Sequence, residues 1–455
     1  MRLGWGEIGT AEADAHDGQE VVVDGFACPV EPGAARIFAL LSEPPCCFGC
    51  LPRDPLARIE VCARAPVVPG RTRLRGTWRV LRDDPAGWRY RLLDARPSGV
   101  TRRGMLAGGP LLCFAASLPP SQVALAQARD IAGDAATVDM HSHAGAIIGV
   151  RRVRENAPYK ALAAPMREGG MAVACLAIVS DSPCHRVMPD GRLHPFRTPN
   201  PGELYVYGQA SFARLHGLIG QESLGVITDA AGLRAARSAT PAVIVAAEGG
   251  DFLEGNVDRV DEAYAKWQLR HLQLTHYRVN ELGDIQTEDP VHGGLTDAGA
   301  AVIRRCNSLG VVVDVAHATF EMVEQAAAVT AKPLILSHTS LARDSVPTRH
   351  SRLISPAHAR VIAGTGGVVG VWPPQTQFAD KAAMAVGIAR MVDAAGIDHV
   401  GLGSDMMGLV GPSVFDSYAE LPELVAALTA QGFRSDEVRK LLGDNYVRVF
   451  TTTLG

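Results

Sequence analysis

From about residue 130 onward the chain repeats one unit, an apolar run of four to eight residues followed by a stretch with helical spacing. The runs are "ATVDMHSH" (136–143), "GMAVACLAIV" (170–179), "AVIVAAEGG" (242–250), "HLQLTHY" (271–277), "GVVVDVAH" (310–317), "PLILSHTS" (333–340), "GGVVGVWP" (366–373) and "HVGLGSDM" (399–406). Near-continuous Val, Ile and Leu suit strands covered on both faces, the condition of a parallel sheet dressed with helices. Between them, "LTDAGAAVIRRCNSLG" sets Ala298, Val302, Cys306 and Leu309 on one helical face and ends at a glycine stop, Gly310. "SPAHARVIAGTG" opens with Ser355 as N-cap and Pro356 at the first helical position. Eight such units predict an α/β fold, a (β/α)8 TIM barrel over residues 131–455, with its active site at the C-terminal strand ends.

That rule selects residues. The first run carries His141 and His143, the third Glu248, the fourth His276, the fifth His317, the sixth His338 and the eighth Asp405, all toward their C-terminal ends. One histidine at a strand end is commonplace, but seven polar groups on one rim form a donor set. Alternation puts His141 and His143 on the same side of their strand. Imidazole nitrogen and carboxylate oxygen both bind zinc at roughly 2.0 to 2.2 Å, and iron, cobalt or manganese accept the same donors. Glu248 could bridge two ions with its two oxygens. Paired ions activate a water and stabilise a developing oxyanion, which is hydrolytic chemistry.

The bulk numbers narrow the partners. A net charge of -4 over 455 residues and a pI near 6.4 leave no electrostatic footprint for nucleic acid. The first hundred residues contain no lysine, thirteen arginines, three of the five tryptophans and five of the nine cysteines, a composition shift that marks a boundary. Within residues 1–98, five short segments with period-2 alternation predict a small all-β module of OB-like type. Its Cys47-x-x-Cys50 has a redox or metal spacing, and equally suits buried structural cysteines. Residues 99–130 hold a twin arginine, an apolar stretch from Met105 to about Leu118, and Ala124-Leu125-Ala126. These are the parts of a twin-arginine export signal, implying a periplasmic protein if the signal functions and a cytoplasmic one otherwise. Leu112 before Cys113 argues against a lipoprotein site, and an ordinary apolar linker is the competing reading.

Taken together and in order, "VDMHSH", "AAEGG", "LQLTHY", "GLTDAGAAVIRRCNSLGVVVDVAH", "LILSHTS", "HSRLISPAHARVIAGTGGVVGV", "GIDHVGLGSDMMG" and "LLGDNYVRVF" resemble the membrane dipeptidase (renal dipeptidase) family of the amidohydrolase superfamily, from about residue 136 to 450. The resemblance implies two zinc ions and cleavage of dipeptides, including some with a D-residue at the C-terminal side. It implies that His141 binds the first ion, with His143 at the second ligand position of that strand. Glu248 would bridge both ions, and His317 and His338 would bind the second. His276 and Arg352 would bind substrate, Arg352 at its carboxylate, and Asp405 would carry the proton from water to the leaving amine. A homodimer follows by family analogy only. Two departures stand out. The family usually has Asp where this chain has His143, and commonly "DFDG" where this chain reads "DMMG" (405–408).

Three functions therefore compete at this level. The first is a dinuclear zinc dipeptidase, acting on a small-molecule dipeptide. The second is a relative that hydrolyses another amide or a lactone, such as an N-acyl amino acid. The third is a metal-binding barrel whose altered ligand set no longer supports catalysis.

Overall fold

The computed structural model of the chain describes residues 2–29, 37–42, 54–63, 70–82, 88–97, 136–143, 161–189, 191–343, 347–409 and 411–455. They form two compact units. The segment 99–130 with its twin arginine, and Cys46, Cys47, Cys50 and Cys113, lie outside the described residues.

The first unit is built from β1 (Arg2–Leu3), β2 (Glu20–Pro29), β3 (Ile37–Leu41), β4 (Arg58–Ala63), β5 (Gly70–Val80) and β6 (Tyr90–Pro97). Its order is β1-β2-β3-β4-β6-β5, and β2 also pairs with β5, so β2 to β6 close on themselves. All pairs in that ring are antiparallel except β4 with β6. This is the small OB-like barrel that the alternating segments predict, with alternate residues such as Val21, Val23, Leu74 and Trp78 turned into its core. The alternation gives no sign of β1 or of the helix Ala11–Asp14. That helix caps the core, since the Trp78 indole N–H donates to the Ala13 carbonyl at 3.0 Å and the Tyr90 hydroxyl to Asp14 at 2.8 Å.

The second unit is the (β/α)8 barrel. Its staves are β7 (Val138–Ser142), β8 (Val173–Val179), β12 (Ala242–Glu248), β13 (Leu269–Gln273), β14 (Val312–Asp314), β15 (Leu334–Thr339), β16 (Val368–Val371) and β17 (Val400–Leu402). Every neighbouring pair is parallel. β17 pairs with β7 and β8 with β12, which closes the ring. A hairpin of β9 (His185–Val187) and β10 (Leu193–Pro195) follows β8, and β11 (Gly225–Val226) lies along β12. The strands are buried on both faces, as their apolar runs require. Ala174, Leu176, Ile178, Val243, Val245 and Ala247 pack with residues of the surrounding helices, such as Phe212, Val302 and Met322. The alternate set, including Cys175, Ala177, Ile244 and Ala246, clusters with Tyr446, Val449 and Phe450 of the last helix, Asn445–Leu454. Burial of each such Val or Leu contributes about 1.5 to 3 kcal/mol.

All eight runs are strands, with shorter bounds. β13 starts at Leu269 and ends at Gln273, β14 ends at Asp314 and β17 at Leu402. His276, His317 and Asp405 thus lie in loops three residues past their strands, whereas His141, Glu248 and His338 are within theirs. The caps are as expected. Gly310 ends the helix Asp297–Leu309 in the left-handed region (φ 77°), and Ser355 caps the helix Pro356–Gly364. Among the described residues no helix is long and apolar enough to cross a membrane.

Candidate metal centre

Glu248 closes β12 on the face that carries Ala242, Ile244 and Ala246, and its carboxylate is the hub of the rim. Glu248 Oε1 is 3.4 Å from His141 Nε2, 3.3 Å from His317 Nε2 and 3.5 Å from His338 Nε2. Oε2 is 3.3 Å from His143 Nε2 and 3.3 Å from His276 Nε2. Asp405 Oδ1 is 3.3 Å from His143 Nε2 and 4.0 Å from His141 Nε2. The structure therefore brings together all seven groups that the strand-end rule selects. All are buried.

The ring nitrogens fit metal ions. His141 Nε2 faces His143 Nε2 at 3.1 Å, and His317 Nε2 faces His338 Nε2 at 3.1 Å. Ring nitrogens so close share either a proton or a cation. Trios such as His141, His143 and Asp405, or His141, Glu248 and His338, place one donor atom each within 4.8 Å of one another. The far nitrogens are partly tethered, His143 Nδ1 to the Ala177 carbonyl at 3.1 Å and His338 Nδ1 to Ser337 Oγ at 3.0 Å. Such tethers fix which nitrogen faces the metal. His317 (φ 70°) and Asp405 (φ 48°) sit in the left-handed region, backbone strain of the kind that collects at functional sites.

Charge follows position. Burial, helped by Arg352, holds the His317 imidazole well below its ordinary range; at His338 burial acts with His141, His317 and Arg352. Both imidazoles are thus held toward the neutral form, the one that can bind metal. Burial also opposes a charge on His143, but Asp405 and Glu248 overcome it and push its pKa up to about 10. His143 is therefore drawn to the two carboxylates. Burial works against ionisation of Glu248, yet the surrounding imidazoles keep its carboxyl well below the usual range.

Beneath the rim lie two buried carboxylates, Asp139 and Asp314, that fall inside apolar runs. Asp139 accepts from the backbone N–H groups of His141 (3.2 Å) and Ser404 (2.8 Å), the Ser404 hydroxyl and the Tyr418 hydroxyl (2.8 Å). Asp314 accepts from the backbone of Ala316 (2.9 Å) and Ser337 (3.1 Å) and lies 3.1 Å from His271 Nε2. The first ties β7 to the loop of Asp405, and the second ties the segments of His317 and His338.

Arg352 reaches the same rim from the segment after β15. One guanidinium nitrogen donates to Gln286 Oε1 at 2.7 Å, and the group lies over Trp372, 5.4 Å from the ring centre. Its Nε has no partner among the described residues, nor does the Trp372 indole nitrogen. Asp181, just past β8, was not selected by the strand-end reading, although applying that rule to the second run would have reached it. Trp372 stands at the end of the seventh run but offers no metal donor, and Gln286 carries no sequence signal of that kind.

Residues 125–454 match the family described as Membrane dipeptidase (Peptidase family M19). The chain is 32% identical over 195 residues to the dipeptidase aclJ of Aspergillus oryzae, covering 41% of this chain and 46% of that protein. It is 31% identical over 228 residues to the dipeptidase tcpJ of Claviceps purpurea, covering 48% and 52%. The match thus spans about half the length of these relatives. Among solved structures, the probable dipeptidase PvdM of Pseudomonas aeruginosa aligns with TM-score 0.61 at 18% identity, over 74% of this chain and 99% of its own. A metallo peptidase of Rhodobacter sphaeroides, liganded with a phosphinate mimic of the dipeptide L-Ala-D-Ala, aligns with TM-score 0.57 at 20% identity, over 70% and 99%. The two solved structures share the fold, and the match over 125–454 extends through every barrel strand and every group on the rim. The chain belongs to the membrane dipeptidase family, peptidase family M19.

Proposed function

We propose that the barrel is a two-metal dipeptidase, with zinc as the ion that its donors suit best. His141 and His143 would hold one ion and His317 and His338 the other, with Glu248 as the carboxylate common to both pairs. When bound, the ions polarise the scissile carbonyl and lower the pKa of the attacking water. Asp405 accepts the proton of that water and passes it to the leaving amine. His276 steadies the substrate beside the scissile carbonyl, and Arg352 grips the terminal carboxylate in the two-pronged manner of a guanidinium. The L-Ala-D-Ala mimic bound to the Rhodobacter sphaeroides relative is of the substrate class we assign, a dipeptide with a D-residue at its C-terminal side.

The observation that carries this reading is the convergence of five imidazoles on the Glu248 carboxylate, with Asp405 set against His143 beside it. A panel of L-L, L-D and N-acyl substrates tests it. Dipeptides should be cleaved, a chelator should stop cleavage and zinc should restore it, and Glu248→Gln should abolish turnover in a folded protein. Full activity of Glu248→Gln, or cleavage of N-acyl amino acids alone, would overturn the assignment. We further propose that residues 101–126 direct export, which predicts a mature N-terminus at Gln127.

A further inference from the structure

We infer that Asp181 is a positioning residue for His276, gripping Nδ1 of its imidazole so that Nε2 alone is presented to the metal centre. The inference rests on the proposed role of His276 and concerns a residue that the sequence pattern did not single out. β8 ends at Val179, and the two residues after it brace the opposite side of the site. Ser180 Oγ donates to the Gly249 carbonyl at 2.6 Å and accepts from the Asp251 backbone at 3.2 Å, steadying the turn that follows Glu248. Asp181 is wholly buried. Its Oδ1 accepts from His276 Nδ1 at 2.7 Å, and its Oδ2 accepts from the Tyr277 backbone N–H at 3.0 Å. One carboxylate thus holds both the ring of His276 and the chain just beyond it, which fixes the ring against rotation about both side-chain torsions.

With Nδ1 engaged in this way, the other nitrogen is aimed at Glu248 Oε2, 3.3 Å away. A carboxylate behind an imidazole sets its tautomer and orientation, and loss of such partners typically costs about 10- to 100-fold in activity or metal affinity. His185 completes the arrangement. It is buried, its Nδ1 lies 3.1 Å from Asp181 Oδ1, and its ring meets that of His276 edge-on with centroids 5.1 Å apart. Asp181, His185 and His276 also have the composition of a metal trio. The 2.7 Å contact, with a ring N–H aimed at one carboxylate oxygen, favours the hydrogen-bonded arrangement.

The test is a double-mutant cycle on the zinc-loaded full chain, comparing wild type, Asp181→Asn, His276→Ala and the double variant. Asp181→Asn keeps the shape but turns one acceptor into a donor. It should lower kcat/KM about 10- to 100-fold with the zinc content unchanged. His276→Ala and the double variant should be equally slow, because Asp181 acts only through the imidazole. Equal losses from Asp181→Asn in both backgrounds, or release of an ion by Asp181→Asn, would overturn the inference. A readout free of turnover is the 15N spectrum of histidine-labelled wild-type protein, with the His276 signals assigned by their absence in His276→Ala. A protonated Nδ1 is expected there, and an unprotonated Nδ1 would refute the inference even if Asp181→Asn does not fold. Absence of dipeptide cleavage by wild type would instead count against the proposed function, leaving the spectrum to decide on Asp181.

Discussion

Single residues set how tightly the rim is assembled. Gly408 follows the strained pair Asp405 and Met407 (φ 48° and 67°), and a methyl group on it would lie 2.0 Å from Asp405 Oδ1 and 2.6 Å from His143 Cδ2. No side chain fits there unless the Asp405 carboxylate or the imidazole beside it moves. A displacement of about 1 Å in a catalytic group can cost on the order of 100-fold. Gly408→Ala should therefore lower kcat/KM by about that factor while the melting temperature changes little. Activity within twofold of wild type would mean that Asp405 is not held where it is used. The same contact bounds the space that His143 occupies. Its ring is bounded by Gly408 on one side, anchored by Nδ1 to the Ala177 carbonyl, and directed by Nε2 to Asp405 and Glu248.

Elements carry these residues, and their ends are where sequence and structure part. The eight apolar runs, the helix stop at Gly310 and the cap at Ser355 were legible because each depends on local pattern. The loop positions of His276, His317 and Asp405 were not, because a strand ends where its hydrogen-bonding partner ends, and that is a property of the neighbouring strand. Asp139 and Asp314 were hidden for a related reason, since their donors come from segments distant in the chain, such as Ser404 and Ser337. Asp314→Ala would leave two backbone donors and His271 without their acceptor, at a cost of about 3 to 5 kcal/mol for a broken buried network. Chemical denaturation should show that loss, together with weaker retention of one ion at His317 and His338; an unchanged stability would contradict the bracing role. The cap of the helix Pro356–Gly364 makes a separate prediction. His358 Nδ1 accepts from the Ser355 backbone at 3.3 Å, so the ring must stay neutral, and burial lowers its pKa from the ordinary 6.5 to about 4. Between these values the unfolded chain binds the extra proton, so stability falls as pH drops from 6.5 toward 4. Wild type should lose on the order of 2 kcal/mol more than His358→Gln between pH 7 and pH 5. Parallel losses in the two proteins would remove His358 as the cause.

At the scale of the whole molecule, the described residues fall into two compact units, each with hydrophobic clusters of its own. The arginines that enrich the first unit largely meet carboxylates on its surface, as Arg73 does with Asp24, Arg89 with Asp14 and Arg96 with Glu20. Exposed pairs of this kind contribute about 0 to 1 kcal/mol each, so that unit is held by its own core around Trp78 and Tyr90. The barrel has its inner and outer layers from its own strands and helices. The solved relatives point the same way, because 70 to 74% of this chain accounts for 99% of two of them. We expect residues 131–455, expressed alone, to unfold in one cooperative transition, to bind the same number of ions per chain as the full protein, and to cleave the same dipeptides with unchanged kcat/KM. Retained metal with lost turnover would instead assign the N-terminal unit a part in substrate binding, and loss of cooperative unfolding would make it part of the barrel's stability.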